Sequence, residues 1–229
     1  MEPACRPSVK NWVVLLREQM KEIRRLNNFY GWGLPESAFM VDIPDSIPCA
    51  DNEMPLISIY LPDKDGITGE QRTFNCLWDA IRPPSRYYKW RQEWLFSNPS
   101  NLRLTPGNEH QPGIDIVAFN PNITNQSSNL LDLSLNNLRS GAYKAHSEVL
   151  MAIITFREWV RKWDGIKIPF PKLGGYQYRE KRETKWEKSI YFYHWPEDNK
   201  FCLFSLPSEG VGDHWSEPIA RKCLNVCSM

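Results

Sequence analysis

Residues 130–163 read LLDLSLNNLRSGAYKAHSEVLMAIITFREWVRKW. Within them Leu131, Leu135, Leu138, Ala142, Ala145, Val149, Ala152, Phe156, Trp159 and Trp163 recur at intervals of four and three, a spacing that keeps one apolar stripe along an α-helix. The spacing predicts a helix over about 130–163, roughly 50 Å long at ~1.5 Å per residue. Read alone, such a stripe could be a coiled-coil seam. Leu130, Leu133, Leu150, Ile153, Ile154 and Val160 add apolar surface well away from it, which favours a buried spine covered by the rest of the chain. Ser140-Gly141 is its weak point, because glycine inside a helix costs about 1 kcal/mol relative to alanine.

Upstream, a helix is expected over 9–27, capped by Ser8, with Val13, Leu16, Met20 and Ile23 on one face and Lys10, Arg17, Lys21, Arg24 and Arg25 on the other. Gly31, Gly33 and Pro35 close it. From 36 to 70 eight acidic residues face a single lysine, and five prolines at 35, 44, 48, 55 and 62 keep most of the segment extended or looped. Inside it Leu56-Ile-Ser-Ile-Tyr-Leu61 reads as a strand. Thr68 and Gln71 make a capping-box pattern ahead of Phe74, Leu77, Trp78 and Ile81 at helical spacing. Residues 86–96 alternate as a half-buried strand, and 114–119 form a second, apolar one.

Downstream, Tyr176 and Tyr178 lie in one candidate strand. Trp186, Ile190, Phe192 and His194 alternate with Ser189, Tyr191, Tyr193 and Trp195 in a longer one, and 196–199 turns the chain back into 200–206. The tail from about 211 has little periodicity and is expected to be loosely ordered. Helices and strands do not alternate regularly, which predicts an α+β fold. Its mainly antiparallel sheet would pack around the long central helix, flanked by an N-terminal helix and a C-terminal β-hairpin or meander, in a single domain over 1–229.

Composition excludes more than it assigns. Net charge is +1 across 229 residues, so no global field draws nucleic acid or an anionic membrane. The start Met-Glu-Pro-Ala-Cys has no signal-peptide pattern and no window is apolar enough to span a bilayer, which gives a cytoplasmic expectation. Six cysteines in a chain with a large core do not require a disulfide framework. Ten tryptophans imply a bulky aromatic core.

Two basic–aromatic stretches are the candidate binding surface. Tyr87, Lys89 and Arg91 sit in the first. Arg179, Lys181, Arg182 and Lys185 sit in the second, where nine basic residues face four acidic ones over 161–188. Tyr191, Tyr193 and Trp195, opposite Phe192, would form an aromatic patch if that face is uncovered. No Walker loop, G-x-G-x-x-G, G-x-S-x-G or H-E-x-x-H is present. His146 and Glu148 are two apart, which on a helix places them on different faces and His146 at the surface.

The sparse catalytic set is Asp115, Glu183 and Lys185, which could hold Mg²⁺ for phosphodiester hydrolysis. The sparse metal set is His194, His214, Cys223 and Cys227, with a loose zinc-like Cys-x3-Cys spacing. The leading expectation is a soluble binding protein without a catalytic motif or cofactor, engaging a protein or nucleic-acid partner through its basic–aromatic surface. An Mg²⁺-dependent nuclease and a structural subunit assembling through the long helix are the alternatives.

Overall fold

The computed structural model describes residues 7, 9–81, 89–91, 101–108, 110–121, 141–163, 170–180, 183–195, 200–207 and 215–223. Helix α1 (Trp12–Tyr30) begins at Asn11, whose Oδ1 accepts the Val14 N–H at 3.1 Å, and ends at Gly31 in the left-handed region. Its start lies three residues beyond the expected one, and Ser8 is outside the described residues. Leu16, Ile23 and Leu26 are buried, and the helix packs on strand β1 (Met54–Tyr60). Asn27 accepts the Leu34 N–H at 2.9 Å and donates to the Leu34 carbonyl at 3.2 Å, so one side chain fastens the turn that follows α1.

Residues 36–53, acidic and proline-rich, form a 3₁₀ turn (Glu36–Phe39) and then an extended strap. Helix α2 (Gly69–Ala80) starts where the Thr68 hydroxyl accepts the Gln71 N–H, as the capping-box pattern requires.

Strand β1 pairs antiparallel along its whole length with β4 (Gly113–Asn120). The other named strands are β2 (Lys89–Arg91), β3 (Leu102–Leu104), β5 (Tyr143–Lys144), β6 (Phe170–Tyr178), β7 (Lys188–Trp195), β8 (Lys200–Pro207), β9 (Trp215–Ser216) and β10 (Ile219–Lys222). One sheet has the order β1-β4-β10-β5. The second runs β2-β8-β7-β6-β3, with β9 parallel to β6. Antiparallel pairs predominate, and the fold is mixed α+β. The expected hairpin is β7–β8, in register from Lys188↔Pro207 to Trp195↔Lys200.

The long central helix is the main correction. Residues 122–140, with Leu131, Leu135 and Leu138, lie outside the described residues. The remainder is broken: Gly141 has φ +78°, Tyr143–Lys144 is strand β5, and α3 (Ser147–Thr155) and α4 (Arg157–Val160) are separated at Phe156. The longest helix is instead α1. Burial along the stripe survives the break: Ala142, Ala145, Val149, Ala152, Phe156, Trp159 and Trp163 are all buried. Ala142 and Ala145 reach the core from the ends of a short strand, whose neighbour β10 captures the backbone bonds a helix would have kept.

The tail expected to be loosely ordered from about 211 supplies β9 and β10, and β10 sits inside its sheet between β4 and β5.

The two sheets meet where Gly175 of β6 donates to the Ala145 carbonyl at 3.0 Å and accepts from the Thr105 N–H at 2.8 Å. The β6–β7 register shifts at this point, between Leu173 and Gln177. A Cβ on Gly175 would come within 2.5 Å of the Lys144 carbonyl oxygen and 2.8 Å of both Asn108 and His146. Only glycine allows this approach. One apolar cluster of buried residues, from Leu16 to Ala220, runs through both sheets.

Candidate functional site

Strand β3 buries Leu102 and Leu104 and turns Arg103 outward by the simple period of a strand. Arg103 faces Gln177 across the β3–β6 pair, and its Nε and Nη2 donate to Gln177 Oε1 at 3.1 and 2.9 Å. The guanidinium carbon lies 4.4 Å from the centre of the Trp186 ring, and that of Arg179 lies 4.6 Å from the same ring. Trp186 sits just before β7 and Arg179 just after β6, where its N–H donates to the Asn101 carbonyl at 3.0 Å. One indole therefore carries two guanidinium groups at a corner of the six-stranded sheet. Each stack is worth about 0.5–1 kcal/mol where exposed and about 2 where dry.

The connection from β6 to β7 is folded on itself. Glu183 N–H donates to the Glu180 carbonyl at 2.9 Å, Lys188 pairs with Glu180, and Lys188 Nζ lies 3.6 Å from Glu183. Lys185 is largely exposed and 3.3 Å from Glu187.

Of the residues expected to bind, Arg179 and Lys185 belong to this corner. Lys89 and Arg91 lie on β2, the opposite edge of the same sheet, and Tyr87, Lys181 and Arg182 fall outside the described residues. Sequence reasoning missed Arg103, Gln177 and Trp186 as members of the corner. The Leu-Arg-Leu alternation of 102–104 is the only local signal, and nothing local pairs it with β6 across more than seventy residues.

Of the proposed aromatic patch on the second face of β7, Tyr191 and Tyr193 have aromatic neighbours, and the Trp195 side chain lies outside what the structure describes. Tyr191 is buried, with Trp215 of β9 at 4.7 Å between ring centres, and Tyr193 packs on Phe170 at 4.5 Å.

A second polar constellation lies at the start of α3. Glu148 Oε1 accepts from Ser58 Oγ at 2.5 Å and Tyr143 Oη at 2.8 Å, and Oε2 accepts the His146 N–H at 2.9 Å. His146 is the N-cap, and its Nδ1 accepts the Ser147 N–H at 2.7 Å, which places the ring proton on Nε2. Both His146 and Glu148 are fully buried, so the expectation of a surface His146 facing away from Glu148 is overturned. That rule holds for helix interiors, and His146 stands outside the helix, where Glu148 can reach back to it.

Burial opposes the Glu148 charge, but the His146 and His110 imidazoles and the hydrogen bonds outweigh it and hold the carboxyl down at about 2. Burial lowers His146 to about 4 and leaves it neutral at neutral pH. Burial and the Glu148 charge push Tyr143 and Tyr176 up. Acid–base side chains are therefore assembled here, and Ser58, Tyr143, His146, Ser147 and Glu148 are all buried.

The nuclease set is not assembled. Asp115, on β4, pairs with Lys222 at 2.7 Å, whereas Glu183 faces Lys188 in the other sheet. Of the proposed metal ligands, His194 is buried on β7 against Phe201 and Cys223 follows β10 in the other sheet, while His214 and Cys227 lie outside the described residues. Among the described residues no three His, Cys, Asp or Glu side chains are grouped to hold a metal ion. Among them, too, no helix is long and apolar enough to cross a membrane.

No protein-family model, curated protein or solved structure matched the chain.

Proposed function

We propose that the protein is a binding module that engages an anionic macromolecule at the Trp186 corner, as a cytoplasmic protein without catalysis of its own. The observation that carries this reading is the pair of guanidinium groups, Arg103 and Arg179, fixed on one indole ring. A stacked guanidinium is pre-organised, loses little entropy on binding and presents a fixed positive charge to carboxylate or phosphate oxygens. Lys185, largely exposed and 3.3 Å from Glu187, belongs to the same β6–β7 connection. Arginine already covers the indole, so recognition by charge and hydrogen bonding is favoured over stacking of a base on Trp186. Burial of the Glu148 constellation supports the same reading, because it places the best-assembled acid–base groups inside the fold. The four described cysteines are free thiols, in keeping with a reducing compartment.

The test is fluorescence anisotropy with labelled single-stranded DNA and, separately, labelled polyglutamate. At low salt, Arg103→Gln and Trp186→Ala are expected each to weaken binding by about five- to tenfold, roughly 1 kcal/mol per lost anion contact. Raising the salt is expected to narrow the difference. Equal affinities for parent and variants on every polyanion would refute the reading.

A further inference from the structure

Arg221 of β10, inside the four-stranded sheet, grips the acidic strap. Arg221 of β10 donates from Nη2 to the Pro48 carbonyl at 3.0 Å, from Nε to Glu53 Oε1 at 3.0 Å and from Nη2 to Glu53 Oε2 at 2.6 Å. The strap closes on itself at the same place: Glu53 N–H donates to the Ala50 carbonyl, and Ala50 N–H donates to Glu53 Oε2, both at 2.9 Å. Cys49 lies inside this clamp. Cys223 lies just past β10, its N–H bound to the Ile116 carbonyl at 3.0 Å. Arg221 binds the residue before Cys49, Glu53 binds the one after it, and Cys223 lies two positions on from Arg221, so the two partly exposed thiols are brought side by side. They therefore meet from two backbones that are each independently fixed.

We propose that Cys49 and Cys223 are a redox modification site that closes to a reversible disulfide when the protein meets a peroxide, bolting the acidic strap to β10. The hydrogen bond from Cys49 and the nearby Arg221 charge lower the Cys223 thiol, while that same hydrogen bond and burial push Cys49 up, which assigns the order of events. Cys223 sulfur attacks one peroxide oxygen, the O–O bond breaks, and sulfenic acid and hydroxide form; with the proton lost from the Cys223 thiol, the hydroxide is water. The Cys49 sulfur then attacks the Cys223 sulfur, the S–O bond breaks, and the leaving hydroxide takes the Cys49 proton as a second water. Two thiols are oxidised by two electrons and one peroxide is reduced. A dithiol reductant reverses the bond by exchange. Cys76 and Cys202 offer no such pairing: Cys76 is pushed up by burial on α2, and Cys202 is buried in β8.

The test uses the full chain treated with hydrogen peroxide, alkylated at its remaining thiols and digested without reductant for mass spectrometry. The expected product is a peptide joining Cys49 to Cys223, lighter by two hydrogens than the two thiol peptides together and separated again by dithiothreitol. A rise in Tm of about 5 °C is expected with it, because the bond closes a very long loop. In Cys49→Ser the oxidation is expected to stop at sulfenic acid on Cys223, trapped by dimedone. A Cys223–Cys227 peptide in place of the Cys49 one, or faster oxidation of Cys76 than of Cys223, would overturn the proposal. The peptide map of the unmutated protein decides the matter even if Cys49→Ser fails to fold.

Discussion

Replacing Glu148 by glutamine keeps the shape of the side chain and removes its charge from a site that offers three donors. If the amide oxygen takes the place of Oε1, it retains Ser58 and Tyr143, but the amide nitrogen then faces the His146 N–H, donor against donor. A buried N–H without an acceptor costs about 1–3 kcal/mol, and the two surviving bonds fall from the charged to the neutral range. Relief of the desolvated charge offsets part of this. The carboxyl sits at about 2 in the fold against 4.5 ordinarily, so the charged form is net favoured once the rings beside it are protonated, while at neutral pH the unmet His146 N–H and the weakened bonds carry the loss. Glu148→Gln is therefore expected to lose about 3 kcal/mol at neutral pH, a fall in Tm of roughly 6–12 °C for a chain of this size. The sign in pH follows from the depressed value. The stabilisation is complete above pH 4.5 and is lost as pH falls from there through about 2. Urea titrations of parent and variant at pH 7 and at successive lower pH values measure both quantities. A variant within 0.5 kcal/mol of the parent at pH 7, or a difference that does not shrink below pH 4.5, would refute the reasoning.

His146 titrates in a separate window. Its depressed value, about 4 against 6.5, means that stability is full above pH 6.5 and falls as pH drops toward 4. His146→Asn preserves an N-cap acceptor but cannot titrate, so its Tm is expected to stay nearly level between pH 6.5 and 4.5 while that of the parent declines; equal slopes would exclude His146 as the cause. Gly175→Ala forces a Cβ against the Lys144 carbonyl, Asn108 and His146 at the seam between the sheets, and a loss of about 3 kcal/mol or failure to fold is expected in urea titrations. A loss under 1 kcal/mol would show that the seam yields.

Much of the fold was legible because its signals are local. The Thr68 cap, the alternation through Ile190 and Phe192, and the apolar run 114–119 each specify their element from neighbouring residues alone. The stripe of 130–163 was half legible. Four-three spacing correctly marked Ala142 to Trp163 as core, yet it could not see that Gly141 breaks the chain or that β10, from the far end of the sequence, pairs with Tyr143–Lys144. β10 itself is four residues, Ile-Ala-Arg-Lys, half-buried and too short to show a period. Arg179 and Lys185 were found through a run of basic residues, whereas Arg103 became part of their corner only through antiparallel pairing with Gln177. The contact of Glu148 with His146 is not legible from helical spacing, because His146 is the N-cap and stands one residue before the helix begins.

Hydrogen–deuterium exchange of the full chain with and without a bound polyanion locates the surface that the ligand covers. Protection is expected in the peptides spanning 101–104 and 176–189, which contain Arg103, Arg179, Lys185 and Trp186, with no change around 146–149, where the Glu148 constellation is buried. Protection at 146–149 with none at the Trp186 corner would contradict the account, because it would place the ligand on the buried acid–base groups and not on the stacked arginines.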